Sequence, residues 1–118
     1  MTLFSRAFLL TIAIIPQLSF AQLLTDEVAK NHIKLGMDKL YNMEFTDAEH
    51  HFHKVKSTYL NHPVGELLHA IQIQWQNTPV EKNPSALSKY LTALEKSKKQ
   101  AENLYKQGKY KEEATFFL

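Results

Sequence analysis

The side chains with the strongest chemical potential cluster at Glu49, His50, His51 and His53. Neutral imidazoles are common ligands for zinc, copper and nickel, so two histidines with a carboxylate beside them could form a surface metal site. At roughly 100° per residue, His50 and His53 lie opposite the apolar positions Ala48, Phe52 and Val55, with Glu49 and Ser57 on the same solvent side. A fourth ligand and supporting hydrogen-bond partners are missing nearby in sequence, so a solvated helix face is the reading that these positions favour. A periplasmic metal-binding protein using His50 and His53 is the alternative. Glu66-Leu67-Leu68-His69 has the spacing used in carboxylate-bridged di-iron bundles, but such a site needs a second Glu-x-x-His, which this chain lacks. Both Glu66 and His69 are expected to project away from the apolar stripe of their helix.

Other chemistries have less support. The serines at 57, 85, 88 and 97 fall in helical or capping contexts and none sits on a Gly-x-Ser-x-Gly turn. The glycines at 36, 65 and 108 are isolated, so there is no phosphate-binding loop. The expectation is a protein without enzymatic activity and without a cofactor. Lysines 96, 98, 99, 106, 109 and 111 are interrupted by Glu95 and Glu102 at helical spacing, which gives an exposed face laced with ion pairs rather than a membrane-binding surface.

The positions of these groups depend on the elements that carry them. Met1 to Arg6 is a short basic leader, Ala7 to Ile15 is apolar, and Ser19-Phe20-Ala21 places small residues where a signal peptidase cuts. Residues 1–21 are therefore expected to be a cleaved signal peptide, and 22–118 a single helical domain that is periplasmic or secreted. The leader's apolar run is too short to span a bilayer, and no later window reaches the roughly 20 apolar residues a span requires. Losing Arg6, the only arginine, leaves thirteen lysines against twelve acidic residues. That near-neutral balance, with no bidentate arginine, excludes a nucleic-acid binder. With no cysteine, stability must come from packing alone.

No segment alternates apolar and polar residues as a strand would, whereas helical spacing recurs between every break, so the fold class is all-α. Ala29, Ile33, Gly36, Leu40 and Met43 line a first helix from about Asp26 to Met43. Thr46 three residues before Glu49 reads as a capping box opening a second helix to about Leu60, with Ala48, Phe52, Val55 and Tyr59 on its apolar face. Pro63 starts a third helix with the stripe Val64, Leu67, Leu68, Ile71 and Trp75, the tryptophan reading as core. Asn83-Pro84 starts the fourth, whose stripe is Leu87, Tyr90, Leu91, Leu94, Ala101, Leu104 and Tyr105 and which Gly108 ends as a left-handed cap. The close on Phe116-Phe117-Leu118 reads as the opening of a further helix in a truncated chain, or as a tail folded back on the fourth helix.

Gly36, Phe45, Ala48 and Phe52 resemble the glycine, aromatic, alanine and aromatic of the tetratricopeptide repeat, and Pro63 falls one 34-residue period after Ala29. The resemblance covers Ala29 to Asn77 and continues loosely beyond. Ala70 stands one period after Gly36, but the linker from Asn77 to Asn83 is longer than the family's turn. Gly108, Tyr110 and Phe117 look like part of a further hairpin, with Glu113 where the alanine belongs. The resemblance implies antiparallel helix hairpins stacked as a short solenoid, a concave groove lined by the first helix of each pair, and a protein or peptide partner. Carried onto this chain, the partner-binding surface is Lys34, Met37 and Tyr41 with Ile71, Gln74 and Trp75. The family's clamp for a C-terminal carboxylate is not matched, since Ile33, Met37 and Leu68 occupy its places.

Overall fold

Three of the four main helices begin on a side chain that occupies an otherwise free backbone N–H. Asp26 accepts from the N–H of Ala29 at 3.0 Å, Asn83 from that of Ala86 at 3.1 Å, and His62 Nδ1 from that of Val64 at 3.1 Å. Pro63 and Pro84 follow the last two caps at the first helical position, where a missing N–H removes nothing. The computed structural model describes residues 23–108 and 115–118. In it these caps open α1 (Glu27–Tyr41), α3 (Pro63–Gln76) and α4 (Pro84–Lys106), and α2 (Phe45–Thr58) lies between the first two. Short 3-10 turns at Leu23–Thr25 and Val80–Lys82 precede α1 and α4. The described residues are all-α, with no strand among them. The expected signal peptide at 1–21 and the part of the expected further hairpin at 109–114 lie outside them.

The start of α2 departs from the expected capping box. Its cap residue is Glu44, which makes no side-chain capping bond, and Thr46 lies inside the helix. The reason is the way α1 ends. Met43 adopts φ 61°, its N–H reaches the carbonyl of Leu40 at 3.0 Å, and the N–H of Glu44 reaches back to Lys39 at 2.9 Å. This doubly bonded left-handed closure leads directly into the next helix, leaving no room for a longer cap. The Glu44 carboxylate turns to Lys39, 3.2 Å away. Gly108, at φ 69°, closes α4 in the expected left-handed way.

Each helix packs on the next in the chain. Tyr59, just past the end of α2, donates its hydroxyl to Asp26 at the start of α1, so the two helices run in opposite directions. Ala29, Leu40, Ala48, Phe52, Val55, Val64 and Leu68 form the main core, with Leu23 beneath them. Ile73, Val80 and Ala86 form a second cluster where α3 meets α4. Phe117 lies edge-on to the ring of His62, 5.2 Å between centroids, and packs on the main core at the start of α3.

The buried face of α4 differs from the expected stripe. Ala86, Ala93, Ser97 and Ala101 are buried, whereas Leu91 is 54% exposed and Tyr105 is 48% exposed. Small side chains let α4 come close to the first turn of α3, whose Pro63, Val64 and Gly65 are themselves buried. At that distance Ser97 Oγ donates to the backbone carbonyl of Pro63 at 3.1 Å. Larger leucines at those positions would hold the helices apart.

Glu66 also departs from expectation, since it is only 7% exposed. Its carboxylate lies 3.2 Å from Lys56 of α2 and 3.2 Å from Lys96 of α4, tying three helices together. Burial by itself would raise its pKa, but the two ammonium groups outweigh that and hold it below the ordinary carboxylate value. A lowered carboxylate pKa means that the stabilisation is present at neutral pH and lost as pH falls below about 4.3 through the lowered value.

Two stability measurements check this packing. A methyl added at Gly36 would lie 2.7 Å from Cδ1 of the buried Phe52 ring. Gly36→Ala is therefore expected to lower stability by about 1–2 kcal/mol despite alanine's better helix propensity, and a paired Phe52→Leu should recover part of the loss. Glu66→Gln is expected to cost about 1–2 kcal/mol at pH 7, the lysines being half in solvent, with a smaller gap to the parent protein at about pH 3. Urea titrations at the two pH values read both effects.

Candidate functional site

The six residues expected to face a partner come from α1 and α3, at helical spacings that keep each trio on one side of its helix. Met37 and Ile71 are half-buried and pack on the main core, forming a floor shared by the two helices. Lys34 and Gln74 are exposed. Tyr41 and Trp75, in the last turns of their helices, meet edge to face with ring centroids 5.1 Å apart and planes at 67°. Tyr41 is 56% exposed and Trp75 is 40% exposed, so the tryptophan read as core stands at the surface. The stripe positions Val64 and Leu68 fill the core, and by Trp75 the helix has turned its apolar edge outward towards Tyr41.

Two amphipathic rings meeting edge to face present apolar faces and polar edges together. Such a pair provides contact area at low side-chain entropy cost, a common property of recognition surfaces. The half-buried Met37 and Ile71 fix the helices on which the rings sit.

His50 and His53 are both exposed on α2. Among the described residues no group of three or more His, Asp or Glu is placed to hold a metal ion. The histidine brought into a specific contact is instead His51, whose Nδ1 lies 3.1 Å from Nδ1 of His32 on α1. Sequence reasoning missed this pair because the two residues are 19 apart and on different helices. The positions of both on the helix flanks facing the α1–α2 seam were the available signal. Glu66 and His69 are separated in role, the first buried against two lysines and the second exposed.

A shallow cleft between α1 and α2 is lined by Asp26, His32, Lys54 and Ser57 among others. Its groups already serve the fold. Asp26 accepts from Tyr59 and from the Ala29 N–H, and these two bonds, the first the stronger, hold its pKa below the ordinary aspartate value. Ser57 donates to the carbonyl of His53 on its own helix. Lys96, counted from sequence among the solvent-facing lysines of α4, reaches across to Glu66. No helix among the described residues is long and apolar enough to cross a membrane.

The aromatic pair has a spectroscopic consequence. Tyr41→Ala is expected to shift or brighten the emission of Trp75, the only tryptophan, while changing stability by less than about 1.5 kcal/mol and leaving helicity intact. An unchanged emission spectrum would show that the rings do not meet in solution. No protein-family model, curated protein or solved structure matches this chain.

Proposed function

We propose that this chain is an exported tetratricopeptide-like adaptor that holds a segment of a partner protein against the face formed by α1 and α3. The observation carrying this reading is the exposed Tyr41–Trp75 pair. Its members stand 34 residues apart at equivalent places on the two helices that the repeat would make the inner wall of a groove.

Local packing supports the same reading. Gly36 lies against Phe52, and Ala48 is fully buried between α1 and α2, the roles that small and aromatic residues take in such hairpins. α3 begins at Pro63, one period after Ala29. The antiparallel course of α1 and α2, followed by α3 in contact with both, is the order of helices that a stacked hairpin solenoid requires. The leader-like residues 1–21 support delivery to the periplasm or beyond, where an adaptor would organise envelope proteins. Binding is favoured over catalysis because Ser97, Tyr59, Asp26 and Glu66 are engaged in structural bonds.

Capture of envelope proteins by the immobilised chain, with bound partners identified by mass spectrometry, tests the proposal. A single stoichiometric partner should be retained by the parent protein. Tyr41→Ala, Trp75→Ala or Gln74→Ala, each confirmed as helical by circular dichroism, should weaken that capture about tenfold or more if the pair is a binding hot spot. Equal capture by all three variants would remove the groove assignment.

A further inference from the structure

His32 on α1 and His51 on α2 bring their Nδ1 atoms to 3.1 Å. The ring centroids are 5.3 Å apart and the planes are tilted by 36°. That centroid separation is close to the nitrogen separation plus the breadth of one ring, so the two nitrogens meet nearly head on and the rings are not stacked. Two imidazole nitrogens facing each other at hydrogen-bond distance are compatible with one proton between them and no other number. With none, two lone pairs oppose each other, and with two, the N–H groups collide.

We infer that His32 and His51 form a one-proton clasp across the α1–α2 seam, closed while a single proton lies between the Nδ1 atoms and opened by acid when both Nδ1 atoms are protonated. In the closed neutral pair one ring donates Nδ1–H and the other accepts, each ring carrying one proton in all. A first proton taken from water goes to Nε2 of the donor ring, making an imidazolium and a charge-assisted bond, so the clasp stays shut. A second proton goes to Nδ1 of the acceptor ring. That removes the only acceptor and sets two cations face to face, and the seam loses its central polar contact.

The surroundings of the pair resist that second proton. Burial opposes the charged form of His51 most, followed by the positive charge that His32 can carry and by His50 and Lys54 on α2, while Asp47 one turn earlier on α2 favours it, and the net effect is a pKa below the ordinary histidine value. On the α1 side Asp26 lines the cleft beside His32, but its carboxylate is engaged by the Tyr59 hydroxyl and the Ala29 N–H. For a histidine with a lowered folded pKa, the unfolded chain binds more protons than the folded one. The contribution to stability is therefore present above about pH 6.5 and lost as pH falls through the lowered value. This inference does not depend on the adaptor reading, because it concerns the seam between two helices and not the α1–α3 face.

The test uses the full chain. His51→Asn and His32→Asn place an amide near the position of Nδ1, where it can hydrogen-bond to the remaining imidazole without titrating. Urea unfolding from pH 7.5 to 5.0 should show the parent protein losing stability relative to both variants, on the order of three- to tenfold in the folding equilibrium constant, whereas His50→Asn should track the parent. Parallel pH curves for the parent and both clasp variants would overturn the inference. A nitrogen-15 spectrum of the parent protein at pH 7.5 gives a second readout that needs no substitution. One of the two rings should carry Nδ1–H and the other a bare Nδ1, and two bare Nδ1 atoms would also overturn it.

Discussion

Close approach of helix backbones is the constraint on which this molecule rests. The chain has no cysteine to cross-link it, and a domain of this length buries only about two thirds of the surface its unfolded chain exposes. Helices separated by large side chains would leave voids that so small a core could not offset. Gly36 against Phe52 between α1 and α2, and Ala93, Ser97 and Ala101 where α4 meets α3, are the places where small size lets the backbones come together. The remaining packing follows from those approaches. Larger apolar groups such as Leu40, Val55 and Leu68 fill the spaces that the small ones define.

Polar groups then settle which surfaces meet. Glu66 is an unusual core residue, since a buried carboxylate is costly unless it is paired, and its two lysine partners come from the helices on either side. Both lysines keep part of their length in water, which limits the desolvation cost to one of the three charges. The arrangement adds direction to packing that is otherwise undirected, because α3 is seated correctly only when α2 and α4 both reach Glu66. Ser97 on the Pro63 carbonyl and Tyr59 on Asp26 act in the same way at other contacts. Together they place Tyr41 beside Trp75 at the surface.

The α1–α2 seam carries a second kind of polar contact. Asp26 with Tyr59 and His32 with His51 both depend on a particular protonation state, and each is weakened when acid protonates the accepting group. The aspartate bond is weakened as pH falls through the lowered carboxylate pKa. α1, which supplies Tyr41 to the exposed face, is thus attached to the rest of the molecule through groups that sense pH, although its apolar contacts through Ala29 and Leu40 do not.

The sequence by itself determined the all-α class, the helix starts near Asp26, at Pro63 and at Asn83-Pro84, the left-handed cap at Gly108, and, apart from the exposed Met43, the inner faces of α1 and α2. Those are local properties, set by helical spacing and by residues whose backbone preferences hold in any context. Tertiary structure decided that Glu66 is buried, that α4 turns its alanines inward, that Trp75 is exposed and that His32 faces His51. Thr46 and Glu49 could have formed a capping box, but the closure of α1 through Met43 had already delivered the chain into α2. For Glu66, the alanines of α4, Trp75 and the His32–His51 pair the deciding quantity was the approach of neighbouring helices, and periodicity within one helix carries no information about how near its neighbour will stand. Apolar pattern alone favoured the leucines of α4, whereas close packing against α3 favoured its smallest side chains.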